Sequence, residues 1–320
     1  MHLYLARRLA LMVPTLLGVT IVVFSFVRML PGDAVAMLLQ DYNYAPDADA
    51  LRTRLGIDRP IHVQYVEWLG GVLHGNLGTS FRTNEPVAKE IGNRIPVTAE
   101  LGVMAMIAGL LIALPVGVIS AVRQDTRTDY TARSAAIGML AIPGFWLGTL
   151  VITLPSIWWQ WTPPLRYTRL WDDPAKNLAQ MIIPAIILGI ALSGTVMRLT
   201  RAQMLEVLRQ DYIRTAAAKG LNERSVVLRH ALRNAFIPVL TLLGLEVAVV
   251  VGGAVVIESV FALPGIGRYL LEGIQYRDYP VIQAVNLIFA TVIVVANLVV
   301  DLLYGWFDPR VREGMVVPGR

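Results

Sequence analysis

Cysteine is absent from the 320-residue chain, which excludes disulfides and thiolate metal sites. Histidine is scarce: His2, His62, His74 and His230 all lie outside the long apolar runs, so no histidine-based metal or nucleophilic site is expected at membrane depth. Lysine occurs three times, and Lys89, Lys176 and Lys219 each follow alanine. A phosphate-binding loop needs Gly-Lys followed by Ser or Thr, so this chain does not bind ATP in that manner. Charge is also sparse, at 16% of residues against 55% hydrophobic. A mean hydropathy of +0.57 lies far outside the range of water-soluble chains of this size.

What the chain has instead is six apolar runs of membrane-crossing length, at 9–27, 101–122, 134–161, 177–197, 234–257 and 281–300. A bilayer core of about 30 Å needs roughly 20 apolar residues per helical span. The runs do not alternate apolar and polar positions, as membrane strands would. An all-α polytopic membrane protein with six transmembrane helices is therefore expected. The start also resembles a secretory signal, with Ala34-Val35-Ala36 as a small-x-small pattern. Its apolar part is too long for a signal core and the pattern sits beyond Arg28, so an uncleaved first helix is expected.

Charge sets the orientation. With the N-terminus inside, the inner segments 1–8, 123–133, 198–233 and the tail are about twice as dense in Lys and Arg as the outer segments 31–96, 162–176 and 262–280. Both termini are then cytoplasmic. The expected organisation is a first span at 1–30, an extracytoplasmic helical subdomain at 31–96, a transmembrane core at 97–305 and a cytoplasmic tail at 306–320. Within the subdomain, Asp47 or Asp49 can cap a short helix ending at Gly56, and Pro60 can begin another reaching towards His74. Pro14, Pro115, Pro143, Pro155 and Pro184 fall inside apolar runs and should kink or break their helices.

The densest basic stretch is "DYIRTAAAKGLNERSVVLRHALRNAFIP", inside a cytoplasmic loop at 201–238. Asp211 can cap a helix over 212–219, with Lys219 at its negative end and Gly220 as a left-handed stop. Thr215, Ala216, Ala217 and Ala218 make its middle small enough for another surface to approach the backbone. Tyr212 and Arg214 add a stacking group and a fixed charge. After Asn222, Leu228, Ala231, Leu232, Ala235 and Phe236 form an apolar stripe at helical spacing, which should lie at the bilayer surface before Pro238 turns the chain into the fifth span. Arg229 and Arg233 face away from it. On residues alone the loop reads as a docking element for a cytoplasmic partner, as an anionic-lipid contact, or as a flank needed only for topology. Nucleic-acid binding is not expected, because aromatic interleaving for base stacking is absent.

The stretch "EVLRQDYIRTAAAKGLNERSVVLRHALRNAFIPVLT" resembles the coupling loop of the permease subunits of bacterial ABC importers, in the dipeptide, oligopeptide and nickel branch. The opening "RRLALMVPTLLGVTIVVFSFVRMLPGD", with "LRTRLGIDRPIHVQYVEWL", "HGNLGTSF", "VFALPGIGRYLLEGIQYRDYPVIQ" and "NLVVDLLYGWFDPRVR", resembles that branch in order. The resemblance implies the type I importer transmembrane fold and a multi-pass protein of the bacterial inner membrane. It implies no catalysis and no cofactor in this chain, with ATP and Mg held by two partner ATPase subunits. A second permease subunit and an extracytoplasmic substrate-binding protein complete the implied assembly. The implied ATPase-coupling residues are Asp211, Tyr212, Arg214, Thr215, Ala216, Ala217, Lys219 and Gly220. The general Glu-Ala-Ala-x-x-x-Gly pattern is degenerate here, with Arg214 and Thr215 in its first two places, and Pro238 lies further from Gly220 than usual.

Glu246 is the single charge within a run and so a functional candidate by default. It either receives a peptide amino terminus in the pathway or serves as a hydrogen-bonded structural group, and the structural role is the one we favour. The outer segment holding Pro264, Gly265, Gly267, Tyr269, Asp278 and Pro280 either faces the binding protein or packs as a re-entrant segment. A proton-coupled carrier using Glu246 is the alternative from another class. Within the same family the ligand could also be a nickel chelate, glutathione or another small solute.

Overall fold

The computed structural model describes residues 2–29, 35, 48–164 and 166–307. The order is α1 (His2–Met29), α2 (Ala48–Leu55), α3 (Ile61–Leu73), α4 (Val87–Val122), α5 (Arg127–Ala141), α6 (Gly144–Trp159), α7 (Pro174–Leu208) and α8 (Asp211–Ala218). A helical run over Glu223–Val260 follows, in which a turn at Glu223–Ser225 and a π-helical stretch at Val226–Ala231 lead into α9 (Leu232–Val260). Helices α10 (Ile266–Tyr276) and α11 (Tyr279–Phe307) complete it. Among the described residues, five helices are long and apolar enough to cross a membrane, and a sixth span results if α5 and α6, bent by 89° at their junction, are one broken span.

That bend falls at Pro143, in the middle of the expected third run. Ile142 is held extended, as the residue before proline prefers, and Gly144 starts α6. Pro14, Pro155 and Pro184 stay inside continuous helices, and so does Pro115 within α4. The helices also outrun the apolar runs. At 1.5 Å per residue α4 is about 54 Å long and α7 about 52 Å, well beyond a bilayer core.

The chain folds as two compact units. The first comprises Met1–Thr98 and Leu263–Val295, so the segment after the fifth span joins the N-terminal region. Here Gly56 closes α2 at φ +66°, and α3 starts behind Pro60 and ends at His74. Asp49 lies in the first turn of α2 and pairs with Arg52 at 2.9 Å; Asp47 lies outside the described residues. Helices α1 and α3 join through Phe24, Tyr65 and Trp68, whose ring centroids are 5.2 to 6.2 Å apart. Asp278 is buried and accepts from Ser80 Oγ at 2.5 Å and from the N–H groups of Phe81 and Arg82 at 3.1 and 3.4 Å.

The second unit comprises Ala99–Ala262 and Ala296–Arg320. Its helices α4 and α7 approach through glycine. A Cβ on Gly189 would stand 2.6 Å from the Ala105 carbonyl oxygen, and one on Gly117 would stand 2.9 Å from that of Met197. Close backbone approach through small residues is how membrane helices gain packing without a hydrophobic driving force. Glu100 near the start of this unit accepts from Tyr167 Oη at 2.7 Å, and burial together with that carboxylate raises the Tyr167 phenol well above its usual range.

Candidate functional site

The basic loop is built on one small core. Val118 and Ala121 from the end of α4, Met204 from α7, Ile213 and Ala216 from α8, and Val226, Ala231 and Ala235 from the helical run behind it are all buried against one another. Helix α8 is therefore seated on the ends of two long helices and on the start of a third. Two of its eight residues hold it there, and six remain on its outer side.

Those buried residues correct the expected small-residue face. Ala216 points into the protein's own core, so the exposed surface of α8 is Asp211, Tyr212, Arg214, Thr215, Ala217 and Ala218, followed by Lys219. Asp211 is the first helical residue rather than the cap, because Gln210 occupies the cap position and makes no side-chain cap bond. The Asp211 carboxylate pairs instead with Arg214 at 3.3 Å, in an exposed geometry of small energetic weight. Gly220 does end the helix, at φ +81°. Tyr212 Oη accepts from Asn234 Nδ2 at 2.8 Å and ties α8 to α9.

Behind Gly220 the chain restarts at Asn222, whose Oδ1 accepts from Ser225 N at 2.8 Å. The expected stripe forms from Ala231 through Leu232, Ala235 and Phe236, with Arg229 and Arg233 exposed, but Leu228 does not join it. The π-helical stretch has i to i+5 bonding, so the buried positions run Val226, Ala231, Ala235, Val239 and Leu243, while Leu228 is 46% exposed. Nor does Pro238 turn the chain, since it sits inside α9. The loop thus continues into the membrane helix as a single rod.

A second anchor lies beside this core, and the sequence reading missed it. Asp129 on α5 is fully buried and bidentate to Arg201 on α7, at 2.8 Å from Nε and 2.6 Å from Nη2. Ser120 Oγ on α4 donates to the same carboxylate at 2.5 Å, and Asp125 N–H at 3.1 Å. Four donors serve two oxygens, so the buried charge is fully paired. The signal available was an acid among the basic residues of 123–133, three positions after Thr126, as in a capping box. Thr126 does cap α5 by accepting from Asp129 N–H.

The other candidates separate cleanly. Glu246 is 6% exposed, between α9 and α7, where it faces the Thr195 side chain. A cavity of about 200 Å³ with apolar walls, including Phe145, Leu188 and Val249, lies in the same unit without Glu246 in its lining. Gly265, Gly267, Tyr269 and Asp278 are buried inside the first unit, and Pro264 and Pro280 are half-buried. These residues pack their own unit; they do not form an outward face. Tyr269 has its phenol pushed up to about 12, by burial first and the Asp278 charge second. Among the described residues no three His, Asp or Glu side chains cluster as a metal site.

Comparison with known proteins adds to this geometry. Residues 113–313 match the family described as "Binding-protein-dependent transport system inner membrane component", and residues 1–102 match its N-terminal membrane component. The chain is 41% identical to the dipeptide transport system permease protein DppB of Escherichia coli strain K12, over 97% of this chain and 98% of that one. It is 40% identical to the di/tripeptide transport system permease protein DppB of Pseudomonas aeruginosa, with the same coverage. A crystal structure of an amino acid ABC transporter with histidines shares the fold, at TM-score 0.51 and 16% identity over 68% of this chain and 93% of that one.

Proposed function

Because the chain belongs to the binding-protein-dependent transport system inner membrane component family, we propose that it is the permease subunit of an ATP-driven peptide importer. The observation that carries the reading is near-full-length similarity, at 40 to 41% identity, to relatives named as dipeptide and di/tripeptide permeases. The chain is a multi-pass protein of the inner membrane. Its termini and the basic loop lie on the cytoplasmic side by the distribution of Lys and Arg. It works with a second permease subunit, two ATPase subunits and an extracytoplasmic binding protein that delivers the ligand.

In this reading the exposed side of α8, with Tyr212, Arg214, Thr215, Ala217 and Lys219, seats in an ATPase subunit, and Gly220 lets the chain leave the contact sharply. Closure of the ATPase pair moves α8 as a rigid piece. The core that holds Ile213 and Ala216 passes the displacement to α4, α7 and α9 and switches the pathway between its two faces. Glu246 is a structural group between α7 and α9.

The test is reconstitution in vesicles with the partner permease, the ATPases and the binding protein. Dipeptide uptake should require ATP, stop with vanadate and survive dissipation of the proton gradient. Uptake that follows the proton gradient and ignores vanadate would make the protein a proton-coupled carrier. Gly220→Val should abolish uptake while leaving the chain in the membrane; normal transport by that variant would refute the role given to α8.

A further inference from the structure

The first unit contains a cavity of about 440 Å³, within the range of small-molecule sites. Arg28 at the end of α1, Gln64 and Trp68 on α3, Phe81, and Tyr279 and Gln283 at the start of α11 are among its walls. Nothing in the coupling mechanism uses this space. Two buried donors on its lining, Trp68 Nε1 and Gln283 Nε2, have no hydrogen-bond partner among the described residues. Gln283 is only 3% exposed, so bulk water does not serve its amide. Buried N–H groups are seldom left unmade, and two on one cavity wall call for an acceptor inside it.

Arg28 narrows the chemistry of that acceptor. Its guanidinium donates to Gln64 Oε1, at 3.2 Å from Nε and 2.6 Å from Nη2, and to the Phe24 carbonyl oxygen at 3.4 Å. It also lies 3.5 Å from the centroid of the Phe24 ring. All these partners are neutral, and Glu67, the one acid on the wall, pairs with Arg59 at 2.6 Å, so among the described residues no carboxylate pairs with Arg28. A carboxylate supplies both the charge and enough lone pairs for several donors. The rings of Trp68, Phe81 and Tyr279 offer the apolar surface that a hydrophobic side chain would cover.

We propose that this cavity binds a small carboxylate carrying an apolar side chain, of the class presented by the C-terminal end of a short peptide. The carboxylate rests on the cavity alone; its assignment to a peptide rests on the function proposed above. The proposed orientation puts the site on the extracytoplasmic side. There it would hold ligand released by the binding protein. Water is the competing occupant, since it satisfies N–H groups without selecting for charge.

The experiment is calorimetry on the full chain in lipid nanodiscs, with L-alanyl-L-phenylalanine and its C-terminal amide as probes. The acid is expected to bind about tenfold more tightly than the amide, the loss that one charge-assisted hydrogen bond implies. Trp68→Phe keeps the ring and removes one donor, and should weaken the acid several-fold. Gln283→Glu sets an anion against the carboxylate and should weaken it further. Equal binding of acid and amide, no binding of either, or undiminished binding by both variants would leave water as the occupant and overturn the proposal. The same preparations, reconstituted with the partner subunits, separate this from the importer reading. ATP-driven uptake without cavity binding sinks only the cavity; binding without uptake sinks only the importer.

Discussion

Helices α8 and α10 are both short, and the sequence leaves a partner-facing role open for both, yet the protein's own core claims them to very different extents. In α8 two residues, Ile213 and Ala216, are buried and the others stay on the surface. In α10 Ile266, Gly267, Tyr269, Leu270 and Gly273 are buried, and the Asp278 just behind them ties down the 80–82 turn. Small residues and glycine turns mark both helices, so the motif does not separate them. What separates them is how much of each helix the protein's own core claims, and a surface is available to a partner only where that core stops.

The strongest way to break the contrast is to unseat α8 from below. Asp129→Ala leaves Arg201 without its buried partner beside Ser120, and should cost about 3–5 kcal/mol. Thermal unfolding in detergent would show this, and uptake should fall with it. Asp278→Ala attacks α10 in the same manner. It strips three donors of their acceptor and should cost about 2–3 kcal/mol, while uptake per folded molecule stays near normal. If that variant instead folded normally and lost its response to the binding protein, α10 would be a contact surface after all.

Adjacent alanines sharpen the comparison within α8 itself. Ala216→Leu overpacks the shared core and should destabilise by about 1–3 kcal/mol, whereas Ala217→Leu on the exposed side should change stability by less than about 0.5 kcal/mol. ATPase stimulation should nevertheless be lost in Ala217→Leu, because in the proposed seating of α8 the added bulk meets the ATPase. The smallest effect concerns pH. The folded-state phenol of Tyr269 lies at about 12, above its ordinary value near 10, so its contribution is fully present below pH 10 and declines between 10 and 12. Tyr269→Phe should flatten that part of the unfolding profile.

Much of this architecture was legible because it rests on local chemistry. The long apolar runs, the stop at Gly220, and the helices ending at Gly56 and beginning after Pro60 each follow from composition or backbone preference within a few residues. The break at Pro143 was less so: Pro14, Pro155 and Pro184 look equally disruptive, and only Pro143 is followed directly by glycine at the bend. Asp129 escaped notice because its partner lies 72 positions away, beyond any local pattern. Burial of Asp278 and Tyr269 depends on Leu263–Val295 joining the N-terminal region, which no spacing rule announces. The stripe at Leu228 failed for a geometric reason, since a 3.6-residue period cannot describe a π-helical stretch.

That stretch bears on how the loop tolerates changes in length. A π turn stores one surplus residue inside a rod whose two ends keep their facing directions. Losing a residue between Val226 and Ala231 would relax it to ordinary α-helix and leave the membrane portion pointing as before. The same loss at 240–250 would rotate everything behind it by about 100° and misalign the buried face. Insertions and deletions can therefore accumulate at the root of the loop, where the backbone already has a join, and are barred a few turns further on.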